Sequence, residues 1–81
     1  MNSAKLTDGS ARDSVVRHAR VERRHIAYVS FIIDSYDGIA TVRTADAAEG
    51  MLEIIVAPDF IKEFVTISEA LYAEVGFALV D

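Results

Sequence analysis

The stretch Ile26-Ala27-Tyr28-Val29-Ser30-Phe31-Ile32-Ile33-Asp34-Ser35-Tyr36-Asp37-Gly38 reads two ways, and each reading leads to a different fold. As a helix, Ile26, Val29, Ile33 and Tyr36 recur at i, i+3, i+7 and i+10, with His25 and Ile32 widening the stripe. Ser30, Asp34 and Asp37 then gather on the opposite side. As a strand, Ala27, Val29, Phe31 and Ile33 share one face, and Ile26, Tyr28, Ser30 and Ile32 share the other. The β-branched content suits the strand. The clustering of polar residues at helical angles suits the helix, as does the length of the segment. Gly38 adds to it, standing where a glycine ends a helix. The pattern favours the helix and leaves the strand open.

On either side the signals are clearer. From Ser14 to Glu22 the residues alternate, with Val15, Arg17, Ala19 and Val21 on one side and Val16, His18, Arg20 and Glu22 on the other, as in a half-buried strand. Ile39–Thr44 reads as a second strand. Ala45–Gly50 is a polar loop of hairpin length, and Met51–Ala57 is a third strand with Leu52, Ile54 and Val56 on one face. Pro58 and Asp59 mark a helix start. Phe60, Phe64, Ile67, Leu71 and Val75 follow at helical spacing, up to Gly76, and Phe77–Val80 reads as a last short strand. Residues 1–13 are polar and aperiodic and predict a disordered tail before a single domain over 14–81. With the helix over 26–34, the order is β-α-β-β-α-β. Short right-handed connections then predict an α+β, ferredoxin-like sandwich: two helices on one face of a four-stranded antiparallel sheet. With a strand there instead, the result is a meander under one helix.

The stretch Ile26–Gly38, its continuation Ile39-Ala40-Thr41-Val42-Arg43-Thr44 and the later Ala57-Pro58-Asp59 resemble a small bacterial family of uncharacterised ACT-like domains. The resemblance runs from about Val15 to Val80. It implies the βαββαβ fold and frequent dimerisation, and by analogy with known ACT domains, regulation by a small molecule, often an amino acid. A glycine-containing loop between first strand and first helix often shapes that amino-acid site. Here the connection is Glu22-Arg23-Arg24-His25, without glycine.

Composition narrows the function. The chain of 81 residues has no cysteine, which excludes disulfides, thiolate zinc sites, iron–sulfur clusters and a copper-chaperone role. No apolar run approaches the ~18 residues of a membrane span, and the first residues lack a signal-peptide core, so a cytoplasmic protein is expected. A domain of this size buries only ~60% of its unfolded surface, which makes a homodimer a natural expectation. Net charge is −5, yet residues 1–24 carry +3 and residues 25–81 carry −8. The acidic remainder opposes nucleic-acid binding. Val15–Glu22 and Met51–Ala57 also lack the aromatics on which RNA-recognition motifs stack bases. Acylphosphatase-like chemistry needs an asparagine with its arginine, and Asn2 is the chain's single asparagine. No nucleophile–base arrangement or phosphate-binding glycine loop is visible, so no enzyme and no cofactor are expected.

Two groups of residues stand out. Arg23, Arg24 and His25 place cations together and form a candidate site for a carboxylate or phosphate ligand. The plain reading is that Glu22 or solvent screens them. His18, Arg20, Arg43 and Glu53 fall on the sheet face away from the helices. There they are candidates for partner recognition or a dimer interface, against an ordinary cross-strand ion pair. Val16, Ile39, Met51 and Ile55 are expected on the same face. Asp34, Asp37, Asp46 and Glu49 match no calcium loop and read as solvated turns. Tyr36 reads as packing at a helix end. Together these features predict a regulatory or small-molecule-binding module without catalysis, or alternatively a structural subunit that docks through its sheet.

Overall fold

The structure, a computed structural model, describes residues 14–81. The tail expected over 1–13 lies outside the described residues. Among these the order is β1 (Val15–Arg20), a 3-10 turn (Arg23–His25), α1 (Ile26–Asp34), β2 (Ala40–Asp46), β3 (Met51–Val56), a second 3-10 turn (Pro58–Phe60), α2 (Ile61–Val75) and β4 (Ala78–Leu79). The sheet has the order β2-β3-β1-β4 with every pairing antiparallel. This is the split βαβ arrangement of the ferredoxin-like sandwich, and it puts β1 and β3 at the centre.

The ambiguous stretch is a helix. Val29 and Ile33, one turn apart, are both fully buried, and burying that stripe outweighs the β-propensity of its residues. The helix stops earlier than Gly38 implied. Ser35 caps it, its hydroxyl donating 2.6 Å to the Ile32 carbonyl. Tyr36, Asp37 and Gly38 form a separate turn, closed by the Ile39 N–H donating 3.2 Å to the Tyr36 carbonyl. In α2 the expected stripe packs as read, with Phe64, Ile67 and Leu71 buried. Its proline opens a 3-10 turn rather than the helix itself, and Phe60 is partly exposed. Gly76 ends α2 in the left-handed conformation, its N–H donating to the Tyr72 carbonyl at 2.9 Å.

The core lies between helices and sheet. Ala19 and Val21 meet Leu52, Ile54 and Val56 from β3, the two helix stripes and Phe77. The alternation of β1 and β3 thus turns one side of each strand inward and leaves the other uncovered. Ile39, expected on the uncovered face, instead precedes β2 and packs against the core. The β2 strand runs two residues further than its sequence pattern indicated, with a bulge between Thr44 and Asp46.

Candidate functional site

The register places the outward side chains of the sheet in three cross-strand rows. Thr41, Ile55 and Val16 form the first. Arg43, Glu53 and His18 form the second, which reaches β4 at Val80 through the Val80 N–H donating 2.8 Å to the His18 carbonyl. Asp46, Met51, Arg20 and Ala78 form the third. All four residues expected on this face, His18, Arg20, Arg43 and Glu53, are on it.

The middle row is tied together. The Arg43 Nε lies 3.4 Å from the Glu53 Oε1, and the His18 Nε2 lies 3.7 Å from the Glu53 Oε2. The other ring nitrogen of His18, Nδ1, lies 2.5 Å from the Asp81 Oδ2, and the His18 backbone N–H donates 2.6 Å to the Asp81 Oδ1. The Arg17 guanidinium donates to the Asp81 backbone oxygen, from Nε at 2.7 Å and also from Nη2. The hydrogen bond to Asp81 is the main reason the His18 imidazole is held above its ordinary 6.5, with Asp81 and Glu53 adding charge attraction. The same hydrogen bond holds the Asp81 carboxyl below its ordinary 3.8. Arg17 and Asp81 were not singled out in the sequence: Arg17 alternates with core residues, and a C-terminal aspartate carries no pattern.

The Arg23-Arg24-His25 cluster does not act as one unit. The Arg24 Nη2 lies 3.1 Å from the Glu22 Oε1, and the His25 Nε2 lies 3.6 Å from the same oxygen. Arg23 has no ion pair with Glu22. It lines an open concavity of about 480 Å³ with Arg20, Val21, Glu22, Ala48, Glu49, Gly76, Ala78 and Val80. Neither Arg20 nor Arg23 has an ion pair among the described residues. The local chain explains the split. Arg20 is the last residue of β1 and points outward, Val21 is buried, and the two-residue link to the 3-10 turn leaves Arg23 on the same concavity as Arg20. A 3-10 turn repeats every three residues, and the sequence reading took this segment as the start of an α-helix.

The carboxylates weighed as a cation site do not converge. Asp34 and Asp37 line a concavity of about 380 Å³ beside Tyr36 and Thr41. Asp46 instead accepts the Glu49 backbone N–H at 3.2 Å and closes the hairpin. Among the described residues no group of three or more His, Cys, Asp or Glu side chains is placed to hold a metal ion. No helix among them is long and apolar enough to cross a membrane.

No curated protein and no solved structure matches the chain. A family model does match residues 19–75, from the end of β1 to the end of α2, and the chain belongs to that family, described as a domain of unknown function, DUF4911.

Proposed function

We propose that this chain is a non-catalytic regulatory module that binds a small anionic ligand at the concavity between Arg20 and Arg23. One observation carries the reading: two guanidinium groups without an ion pair among the described residues share the lining of one concavity of about 480 Å³. That volume falls in the range of small-molecule sites, about 300–1,000 Å³. Guanidinium groups recognise carboxylate and phosphate by paired N–H donors. Glu49 on the same lining would receive an ammonium group, so an amino acid meets a partner at each end. The ACT-like resemblance of the sequence supports the same class of ligand.

The test is thermal unfolding in the presence of amino acids, organic acids, inorganic phosphate and nucleotides. A ligand at 100 times its dissociation constant stabilises by about 2.7 kcal/mol, a shift on the order of 10 °C in a domain of this size. The shift is expected to vanish in the double variant Arg20→Ala, Arg23→Ala and to persist in Arg24→Ala. No shift with any class, or a shift that survives the double variant, refutes the proposal. A second reading is favoured by the uncovered sheet face, through which the chain would dock as a structural subunit of a larger partner. Melting unmoved by every ligand, together with a stoichiometric complex in cells that Val16→Glu dissolves, would select it.

A further inference from the structure

The uncovered sheet face is its own complement. The strand order β2-β3-β1-β4 puts the midline of the sheet between β3 and β1. A two-fold rotation about an axis parallel to the strands, above that midline, exchanges the two central strands and keeps every row at its own height. Each central position then meets its row neighbour from the other copy. Ile55 meets Val16, Glu53 meets His18, and Met51 meets the aliphatic stem of Arg20. In the outer columns Arg43 comes over Val80, one residue from the Asp81 carboxylate. The three central pairings are apolar on apolar, acid on base, and thioether on alkyl stem, and each occurs twice by symmetry.

We propose that this face takes a second copy of the chain in that register, with the two sheets packed face to face and the helices outside. Three features of the face support a second copy as its occupant. Its apolar members are left uncovered in the single chain, Val16 at 48% and Val80 at 50% exposure. The charges of its middle row are already matched within each copy, through Arg43–Glu53, His18–Glu53 and His18–Asp81, so covering that row leaves no lone charge, while Arg20 in the third row, without an ion pair among the described residues, packs only its stem and keeps its guanidinium at the open concavity. The pairing of Glu53 with His18 across the axis then adds attraction between copies of the same sign pattern. Sheets packed this way lie ~10 Å apart and cross at ~30°, so contact is closest along the midline, where the complementary pairs are. The footprint is four strands wide and three rows high. It is small beside the ~800 Å² per partner of a standard interface, and the association belongs to the weak class.

The test uses the full chain in sedimentation equilibrium over a concentration series up to ~1 mM, a range suited to weak interfaces. The wild type is expected to move from its monomer mass of 8.9 kDa to twice that value. Val16→Glu and Ile55→Lys are each expected to shift the midpoint at least ~10-fold upward, because each puts a charge against an apolar partner at both symmetric contacts. An equimolar mixture of V16E and I55K is expected to regain association. In the mixed pair one contact joins the new glutamate to the new lysine, and the other remains Val16 on Ile55. Circular dichroism confirms folding, and because Val16 is half exposed, V16E carries the test on its own should I55K not fold. A monomeric wild type across the series overturns the proposal, as does a dimer indifferent to V16E. A mixture of two folded variants that stays apart overturns the register. Arg20, Ala78 and Val80 belong both to this face and to the lining of the arginine concavity, whereas Val16 and Ile55 do not line it, so the two substitutions test the interface without altering the ligand site.

Discussion

Replacing Gly50 by alanine tests how the hairpin is locked to the turn that carries Arg23. Gly50 has φ +68, and a Cβ built on it would lie 1.9 Å from the Val21 carbonyl oxygen and 3.1 Å from its carbon. Ordinary contact would require a shift of more than ~1 Å. Neither side moves easily. Val21 is buried, its N–H donates to the Gly50 carbonyl at 2.9 Å, and the Arg23 nitrogen lies 3.6 Å from the added atom. The left-handed backbone costs an alanine about 1–2 kcal/mol. The lost or stretched hydrogen bond costs about 1 kcal/mol. The forced displacement costs a further ~1–3 kcal/mol. The expected loss is therefore about 3–6 kcal/mol, comparable to the whole stability of a domain this size, about 3–10 kcal/mol. Gly76→Ala supplies the control. Its φ of +75 is nearly the same and nothing lies within 4 Å of the added Cβ, so only the backbone term of about 1–2 kcal/mol applies. Urea unfolding followed by circular dichroism measures both. If G50A falls within ~1 kcal/mol of G76A, the close approach of Gly50 to Val21 is not as described and the reasoning fails.

Two further outcomes are expected. Phe64→Ala should cost about 3–5 kcal/mol, because Phe64 is fully buried between α2 and the sheet, whereas Phe31→Ala, at 69% exposure, should change urea stability by less than ~0.5 kcal/mol. The His18–Asp81 pair should also make stability depend on pH. His18 is raised above 6.5, so its contribution is complete below 6.5 and is lost as pH rises through its folded value. Asp81 is lowered below 3.8, so its contribution is present above 3.8 and is lost as pH falls through its folded value. The junction of β1 and β4 is therefore tightest from weakly acidic pH to near neutrality. His18→Gln should flatten the alkaline side of a melting-temperature profile, and an NMR titration placing the imidazole at or below 6.5 would refute the contact.

The folding pattern was legible wherever burial follows a single period. Leu52, Ile54 and Val56 alternate, Phe64, Ile67 and Leu71 repeat helically, and both runs are buried as their spacing required. The first helix was harder because Ile26, Val29, Ile32 and Ile33 also suit a strand, and only the packing of Val29 and Ile33 against the sheet removes the strand alternative. Element ends were the least legible part. Ser35, not Gly38, closes α1, because a side-chain hydroxyl reaching back to Ile32 does the work that a left-handed glycine was expected to do. The rows of the sheet face followed from parity, so His18, Arg20, Arg43 and Glu53 were placed correctly. The division of Arg23, Arg24 and His25 was not legible. Adjacent residues on a tight turn point in different directions, and a contiguous run of cations carries no record of which one faces Glu22.

The two faces of β1 separate what the fold requires from what it leaves free. Ala19 and Val21 are buried, and a one-residue slip of the strand would exchange them with His18 and Arg20, placing two cationic side chains in the core. The register is therefore fixed from the inside, by the core residues and by the hydrogen bond between Val21 and Gly50. It then dictates where the outward residues stand without dictating what they are. Arginine at 20 or 23 makes no contact that the packing needs, since neither residue pairs with a carboxylate among the described residues and both are exposed. Long cationic side chains held at a concavity with no internal partner do not contribute to folding, and the acidic balance of the rest of the chain supplies no reason to leave them unpaired. At these two positions the fold leaves the side chain free, as it does across the outward face of β1.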